Sequence, residues 1–511
     1  MLCLPHSLFA QQVTYAEPVR LGSGLRIELI GKSENYYWAA QILHQQNNNR
    51  HSKPPGRELQ GFELYDARLR LIREDQPLVL PGTRKQWLVT GKNCLDQLMI
   101  TSAEGKTRLI CSRYYTDGQK EKQIRLLDSL PLTMDPSAFL LIRSQDHSKI
   151  LILAFDNSDD WTTRAYALLF DSDWHALYHQ LIGHALFSQP CIQDDEIGFP
   201  GESFDNLPIK LANNGEWLMA APSRTSQNFS LLHACANGTD YQIREIPISP
   251  YYHPEDVAMS IDNTLQKMSV GVLSSYPKTS FKNVQITNYS IAEGRFDFDT
   301  SYRFSTQTPE LQNKNLSREN FMAVPGGGYL LMKEYGIPYD FNKTENPFIS
   351  NWEAAYLLAH YAEPDPSSSS WSAGIKVNQG LRPLPLIRNR GDLNFFYFPA
   401  VKLDSTWSGS LFMEQRAEPN NPELSYLMVP DQGKLYIIYN SLDGFEDPTA
   451  TSTTLDNQGK QTGDALIFWK INRRLNFQKA HRFTEHEVAL PYLENPQNGF
   501  AILRLDGRPA D

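Results

Sequence analysis

Residues 425–440 read SYLMVPDQGKLYIIYN and residues 464–483 read DALIFWKINRRLNFQKAHRF. Turn-forming residues cut this stretch into four short apolar runs, at 426–429, 434–439, 465–471 and 476–483, the pattern of a four-stranded antiparallel unit. The run Leu435, Tyr436, Ile437, Ile438, Tyr439 does not alternate apolar with polar. A strand of that kind is covered on both faces, so the unit must stack between others of its kind. The polar stretch 442–463 is read as a long loop inside the unit.

The same pattern of strand, tight polar turn and apolar strand recurs along the chain. Residues 26–43 give a first hairpin, with 63–72 and 77–80 as further strands and 45–57 as an inserted loop. A second unit holds strands at 86–90, 98–101, 108–115 and 123–127, and a third spans 138–182. Units at 208–248, 257–305 and 321–380 follow, with the pattern blurred between 362 and 418. The frames Val324-Pro325-x-x-Gly328-x-Leu330 and Val429-Pro430-x-x-Gly433-x-Leu435 match, and Gly215 holds the same turn position further upstream. The intervals 215 to 328 and 328 to 433 are nearly equal, and each reads as two units.

Stacked four-stranded units covering nearly the whole chain resemble the β-propeller superfamily in architecture. The resemblance implies an all-β fold, a single propeller over residues 13–511, with seven blades favoured and six or eight left open. It is architectural only: no WD dipeptide, kelch double glycine or complete Asp box is present, so no family's catalytic residues carry over. The alternating C-terminal run 497–505 is expected to pair with N-terminal residues and close the ring.

Composition narrows the function classes. Of the 511 residues 41% are hydrophobic and 21% charged, which suits a packed core rather than disorder. A net charge of −10 argues against nucleic acid as a partner. No apolar run is long enough to span a membrane as a helix. Residues 1–12 turn from apolar to polar at Ala10, like the end of a secretory signal without its basic region, and imply a secreted, periplasmic or cell-surface protein.

Chemical motifs are scarce. GxSxG, P-loop, GxGxxG and HExxH are all absent; His486-Glu487 opens a zincin-like frame, but Leu490 stands where the second His is needed. His175 and His179 would share a face on a helix, yet the segment reads as an outer strand that holds them too far apart for one metal. Cys94 and Cys111 flank a hairpin centred on Glu104 and Gly105, a register that sets Cys111 opposite Gln97 or Leu98 and out of disulfide reach of Cys94. Acidic loops containing Asp156, Asp159 and Asp160, then Asp194, Asp195 and Glu196, then Asp443, Glu446, Asp447 and Asp456 lack the alternating frame of a calcium loop, so no cofactor is assigned.

Loop length supplies the functional expectation. In a four-stranded meander the 1–2 and 3–4 turns leave on one face of the disc, and the 2–3 turns and interblade links on the other. The first class reads short; the second reads long at 157–163, 188–205, 276–283, 336–351 and 442–463. Tyr335, Tyr339, Phe341, Phe348 and Trp352, with Asp443, Phe445, Glu446 and Asp447, are therefore the candidate binding residues. The expected function is a monomeric, non-catalytic module for a protein or glycan. The alternatives are a glycan hydrolase with acids at the channel and a structural component of a surface assembly.

Overall fold

A computed structural model describes residues 12–16, 25–44, 57–119, 124–130, 139–159, 162–185, 197–198, 202–203, 209–222, 229–236, 238, 240–246, 253–276, 281–305, 316–324, 328–338, 388–399, 407–411, 415–417, 426–431, 434–441, 449–456, 461–468, 473–475, 480–484, 486–494 and 497–505. They form strands and turns, with no helix among them.

Eight antiparallel sheets follow one another in chain order. Blade I comprises Leu25–Ser33, Tyr36–His44, Arg57–Tyr65 and Leu71–Asp75; blade II, Thr83–Thr90, Cys94–Ala103, Lys106–Tyr115 and Arg125–Leu130. Blade III comprises Phe139–Arg143, Lys149–Asp159, Thr162–Asp171 and Ala176–Ala185; blade IV, Ile209–Leu211, Trp217–Pro222, Phe229–Ala234 and Tyr241–Ile246. Blade V comprises His253–Asp262, Lys267–Ser275, Phe281–Ser290 and Arg295–Ser305; blade VI, Leu316–Val324, Gly328–Pro338, Arg388–Pro399 and Trp407–Leu411. Blade VII comprises Tyr426–Asp431, Lys434–Ser441, Thr449–Leu455 and Gln461–Phe468. Blade VIII draws His481–Thr484, Glu487–Glu494 and Gln497–Arg504 from the C-terminal region and Gln12–Tyr15 from the N-terminal one, with Gln12 opposite Arg504 and Tyr15 opposite Ala501.

The sheets close into a ring, and the core shows it. Each of eight apolar clusters joins one blade to the next. Leu98 and Leu109 of blade II, for instance, meet Phe139 and Ile152 of blade III. The last interface sets Ala489, Phe500 and Ile502 of blade VIII against Ile27, Leu29, Tyr37 and Ala39 of blade I. Because second strands lie between two neighbours, Ile150 to Phe155 are buried without alternation. First strands of successive blades approach each other, which places them around the central channel. The chain is a β-propeller of eight blades.

Eight is the upper of the counts left open, and blades VII and VIII explain the difference. The stretch 442–463 is not one loop: it contains the third strand of blade VII, Thr449–Leu455, in which Ser452 and Thr453 are fully buried. TATSTTL reads as polar, but Thr is β-branched and pairs well in a ladder. Recognising that strand moves the run expected as third to fourth, at Gln461–Phe468, and places the expected outermost strand partly in blade VIII as His481–Thr484, its first strand. The interval from 328 to 433 therefore spans one blade, not two, since Gly328 belongs to the inner hairpin of blade VI and Asp431 and Lys434 to that of blade VII. In blade I, residues 77–80 are not a strand; Leu71–Asp75 takes that place.

The interblade link after blade III runs differently from the others. Ile197–Gly198 lie parallel to Gln86–Trp87 on the free edge of blade II's first strand. Glu202–Ser203 pair antiparallel with Arg482 and His481, on the free edge of the first strand of blade VIII. The link thus bridges two blades that flank blade I, on their channel-facing edges.

Candidate functional site

Loop lengths bear out half of the geometric expectation. Turns between first and second strands are short throughout, as at Ser33 to Tyr36 and Asp431 to Lys434. On the opposite face several expected long loops shrink. Asp159 is opposite Thr162, so residues 157–163 are strand ends around a tight connection. The strands on either side of 276–280 run to Ser275 and from Phe281. Extended connections on that face include 45–56, 186–208 and 339–387.

Tyr335 lies in the second strand of blade VI, opposite Ser317, and not in a loop. That strand continues to Pro338, past the expected loop start at 336. Tyr339, Phe341, Phe348, Trp352, Asp443, Phe445, Glu446 and Asp447 lie outside the described residues, as do Asp194, Asp195 and Glu196. Asp456 follows the third strand of blade VII and so belongs to the opposite face. His175 and His179 bond different carboxylates, Asp171 at 3.0 Å and Asp128 at 3.1 Å. No cluster of three metal-ligating side chains occurs among the described residues. Cys94 and Cys111 are buried and not joined in a disulfide, with Cys111 opposite Leu98.

A cleft of about 230 Å³ opens on the 2–3-turn face between blades I and II. Its walls are the start of blade I's third strand (Glu58, Leu59), the link 77–80, the start of blade II's first strand (Thr83 to Gln86) and Gln97. Gln97, fully buried, shapes it: its amide nitrogen donates to Leu78 O and Gln86 Oε1, while its amide oxygen accepts from Leu78 N, all at 2.9 Å. Tyr114 Oη adds a bond to each of Leu78 N and Gln97 Oε1. The link is thereby pinned, and Val79 projects with 79% of its surface exposed. Glu58 and Arg84 are exposed at the rim. The volume suits one amino-acid side chain or one sugar ring rather than a whole small-molecule ligand, whose pockets run from about 300 Å³ upward.

Three enclosed or half-buried carboxylates are engaged between blades, and a fourth, Glu63, within blade I. Asp96 accepts from Arg113 Nε at 2.7 Å and Nη2 at 2.9 Å, and from Trp174 Nε1 of blade III at 2.9 Å. Glu487 meets Arg504 at 3.1 Å, Lys32 at 2.7 Å and the Tyr37 hydroxyl of blade I at 3.1 Å. Glu216 meets His233 at 3.1 Å and Tyr289 of blade V at 3.4 Å. In each, an acid on or just before the second strand and a base on the third strand of one blade are capped by an aromatic donor from the next. Glu63 in blade I accepts from Gln41 at 2.6 Å and from the Tyr65 hydroxyl. Burial, with the nearby carboxylate, pushes the Tyr37 and Tyr65 hydroxyls well above the ordinary phenol range, so both remain donors. The first three groups staple neighbouring blades together, and Glu63 braces blade I.

Sequence reasoning missed these staples, although one was within reach. Asp96 and Arg113 are mirror positions about the 104–105 turn, the register that sets Cys111 opposite Leu98. The cleft had no comparable signal, because its walls come from two blades and a link.

No protein family matches the chain in sequence, and no curated protein does. Solved structures that share its course include the β-propeller domain of the Trilobed protease from Pyrococcus furiosus, at 8% identity and TM-score 0.35, covering 82% of this chain and 94% of that one. Polysaccharide lyase Uly1 gives 8% identity and TM-score 0.39, covering 96% of this chain and 100% of that one. The β-propeller domain of Nup133 from Vanderwaltozyma polyspora gives 7% identity and TM-score 0.36, covering 94% of this chain and 100% of that one. At these scores they carry no inference about this chain's activity.

Proposed function

We propose that this propeller is a non-catalytic binding module that takes an extended segment of a partner protein on its 2–3-turn face, anchored in the cleft between blades I and II. The observation that carries the reading is the coincidence of two features on one strand. Thr83 to Gln86 line the cleft, and the channel-facing edge of the same strand pairs with backbone, taking the chain's own Ile197–Gly198 at Gln86 and Trp87. A pocket for one side chain beside an edge that pairs with backbone is the arrangement by which sheets take up peptides. It favours protein over glycan, because a sugar chain offers no strand to pair.

A glycosidase needs two carboxyl groups at about 5 to 10 Å facing common space. Among the cleft residues Glu58 is the one carboxylate. Export of a monomeric module remains the setting proposed for this function, to be tested by the mass of the mature N-terminus and by its sedimentation.

A peptide array and a glycan array probed with the purified protein decide between ligand classes. The expected result is peptide capture that falls about tenfold in Arg84→Glu, through loss of a charged rim contact. Capture of glycans alone, or peptide capture indifferent to Arg84→Glu and Val79→Asp, overturns the reading.

A further inference from the structure

At the opposite end of the channel stands an arginine whose donors are largely unused. Arg143 is the last residue of blade III's first strand and is half-buried against blade II. Its enclosed Nε–H has no acceptor, and its bond is a long one, Nη1 to Thr90 Oγ1 at 3.4 Å. Arg113, Arg504 and Arg73 each face a carboxylate, within 3.1 Å; Arg143 faces none within bonding distance among the described residues.

Among the described residues, the two carboxylates whose charge reaches Arg143 are committed elsewhere. Asp96 is held by Arg113 and Trp174 as described. Asp146 folds onto its own turn, accepting from Ser144 Oγ at 2.7 Å, Ser148 N at 3.0 Å and Ser148 Oγ at 2.9 Å. The nearby Cys94 is a buried thiol that burial keeps protonated, so it supplies no charge. His147, on the same turn in a left-handed conformation at φ 60°, stands near Arg143. Partial burial and the Arg143 guanidinium push its imidazole down to about 4, and burial pushes Arg143 itself down to about 10. The Arg143 shift describes a cation short of an anion, beside an imidazole that its charge keeps neutral.

We propose that Arg143, with Thr90 and His147, forms an oxyanion-binding site at the channel end of the interface between blades II and III, taking a carboxylate or sulfate group. The guanidinium would offer the Nη donors that Thr90 does not hold to an oxyanion, the charge-assisted contact that arginine uses for such anions. Thr90 holds the other Nη and fixes the plane. The neighbouring rim turns are already satisfied among themselves: Asn213 Oδ1 accepts from Asp146 N at 3.2 Å, and Asn263 bonds Asn213 N and Gln145 Oε1, each at 2.9 Å. They frame the site without competing for the ligand.

The test uses the full chain labelled with 15N-arginine, with the Arg143 Nε–H signal assigned by its loss in Arg143→Lys. Sodium sulfate and sodium acetate are titrated against sodium chloride at constant ionic strength. The expected result is a saturable shift of that signal with sulfate or acetate and not with chloride. Read by isothermal titration calorimetry, sulfate or acetate affinity should fall about tenfold or more in Arg143→Gln, as loss of a charged contact requires. Should Arg143→Gln fail to fold, Thr90→Val serves as the second variant: it leaves the guanidinium in place but unheld, and a loss of affinity supports the site. An Arg143 signal that stays fixed at saturating sulfate and acetate, or equal affinity in all variants, overturns the proposal.

Discussion

At the scale of the residue, what distinguishes this interior is the way charge is placed in it. Asp96 is 1% exposed and Arg113 6% exposed, and both gain their partners from opposite positions of one hairpin. Burial pushes the Asp96 carboxyl up while Arg113 pulls it down, and the carboxylate in turn holds the guanidinium charged far above ordinary pH. A pair of this kind adds little net stability compared with well-packed apolar residues, but removing one member strands the other. Asp96→Ala should therefore cost about 3–5 kcal/mol in urea denaturation. The double variant Asp96→Leu, Arg113→Met should recover most of that loss. If the double variant is no better than the single one, the cost lies in Trp174 and the blade II–III packing rather than in a stranded charge.

At the scale of the element, the third strand of blade VII is the instructive case. Thr449–Leu455 has Ser452 and Thr453 fully enclosed and Leu455 4% exposed, between ladders to both neighbouring strands. Replacing residues 442–463 with a short Gly-Ser turn would remove a structural strand and should abolish the cooperative melt. Replacing 442–448 alone should leave the melting temperature within a few degrees, because loop closure changes by only about 0.6 kcal/mol per doubling of length. Circular dichroism melts of the two chimaeras check this, and equal behaviour would show that the strand contributes nothing. Element-level reading failed here for a physical reason: hydroxyl-bearing β-branched residues suit a ladder as well as apolar ones do, while hydropathy ranks them with loops.

At the scale of the whole molecule, closure is the property that no single blade has. Gln12–Tyr15 completes blade VIII, and the Tyr492 hydroxyl donates to Ala16 O at 2.9 Å just beyond it. Arg504 reaches Thr14 Oγ1 at 3.3 Å from the same sheet. Deleting residues 12–16 should expose the edge of Gln497–Arg504, lower the melting temperature of the entire chain and promote self-association. An unchanged melting curve with a monomeric elution profile would show that the ring does not depend on that strand.

Much of this was legible in the amino-acid order. Alternation and its absence mark strands by how many faces they bury, so the four-stranded unit and its stacking could be read from runs such as 435–439, and the alternating C-terminal run foretold the strand that meets the N-terminal residues. The hairpin register about Glu104 and Gly105, both at positive φ, was equally local. What only the tertiary structure decided depends on partners remote in sequence. The eighth blade is assembled from residues nearly the whole chain apart, the cleft from two blades and a link pinned by Gln97, and the channel-edge pairing of 197–203 from three separate segments. Arg143 looks like any strand-end arginine until the surrounding carboxylates are seen to be taken. Local periodicity encodes which faces are buried; which groups meet across those faces is set by ring closure, and that has no local signal.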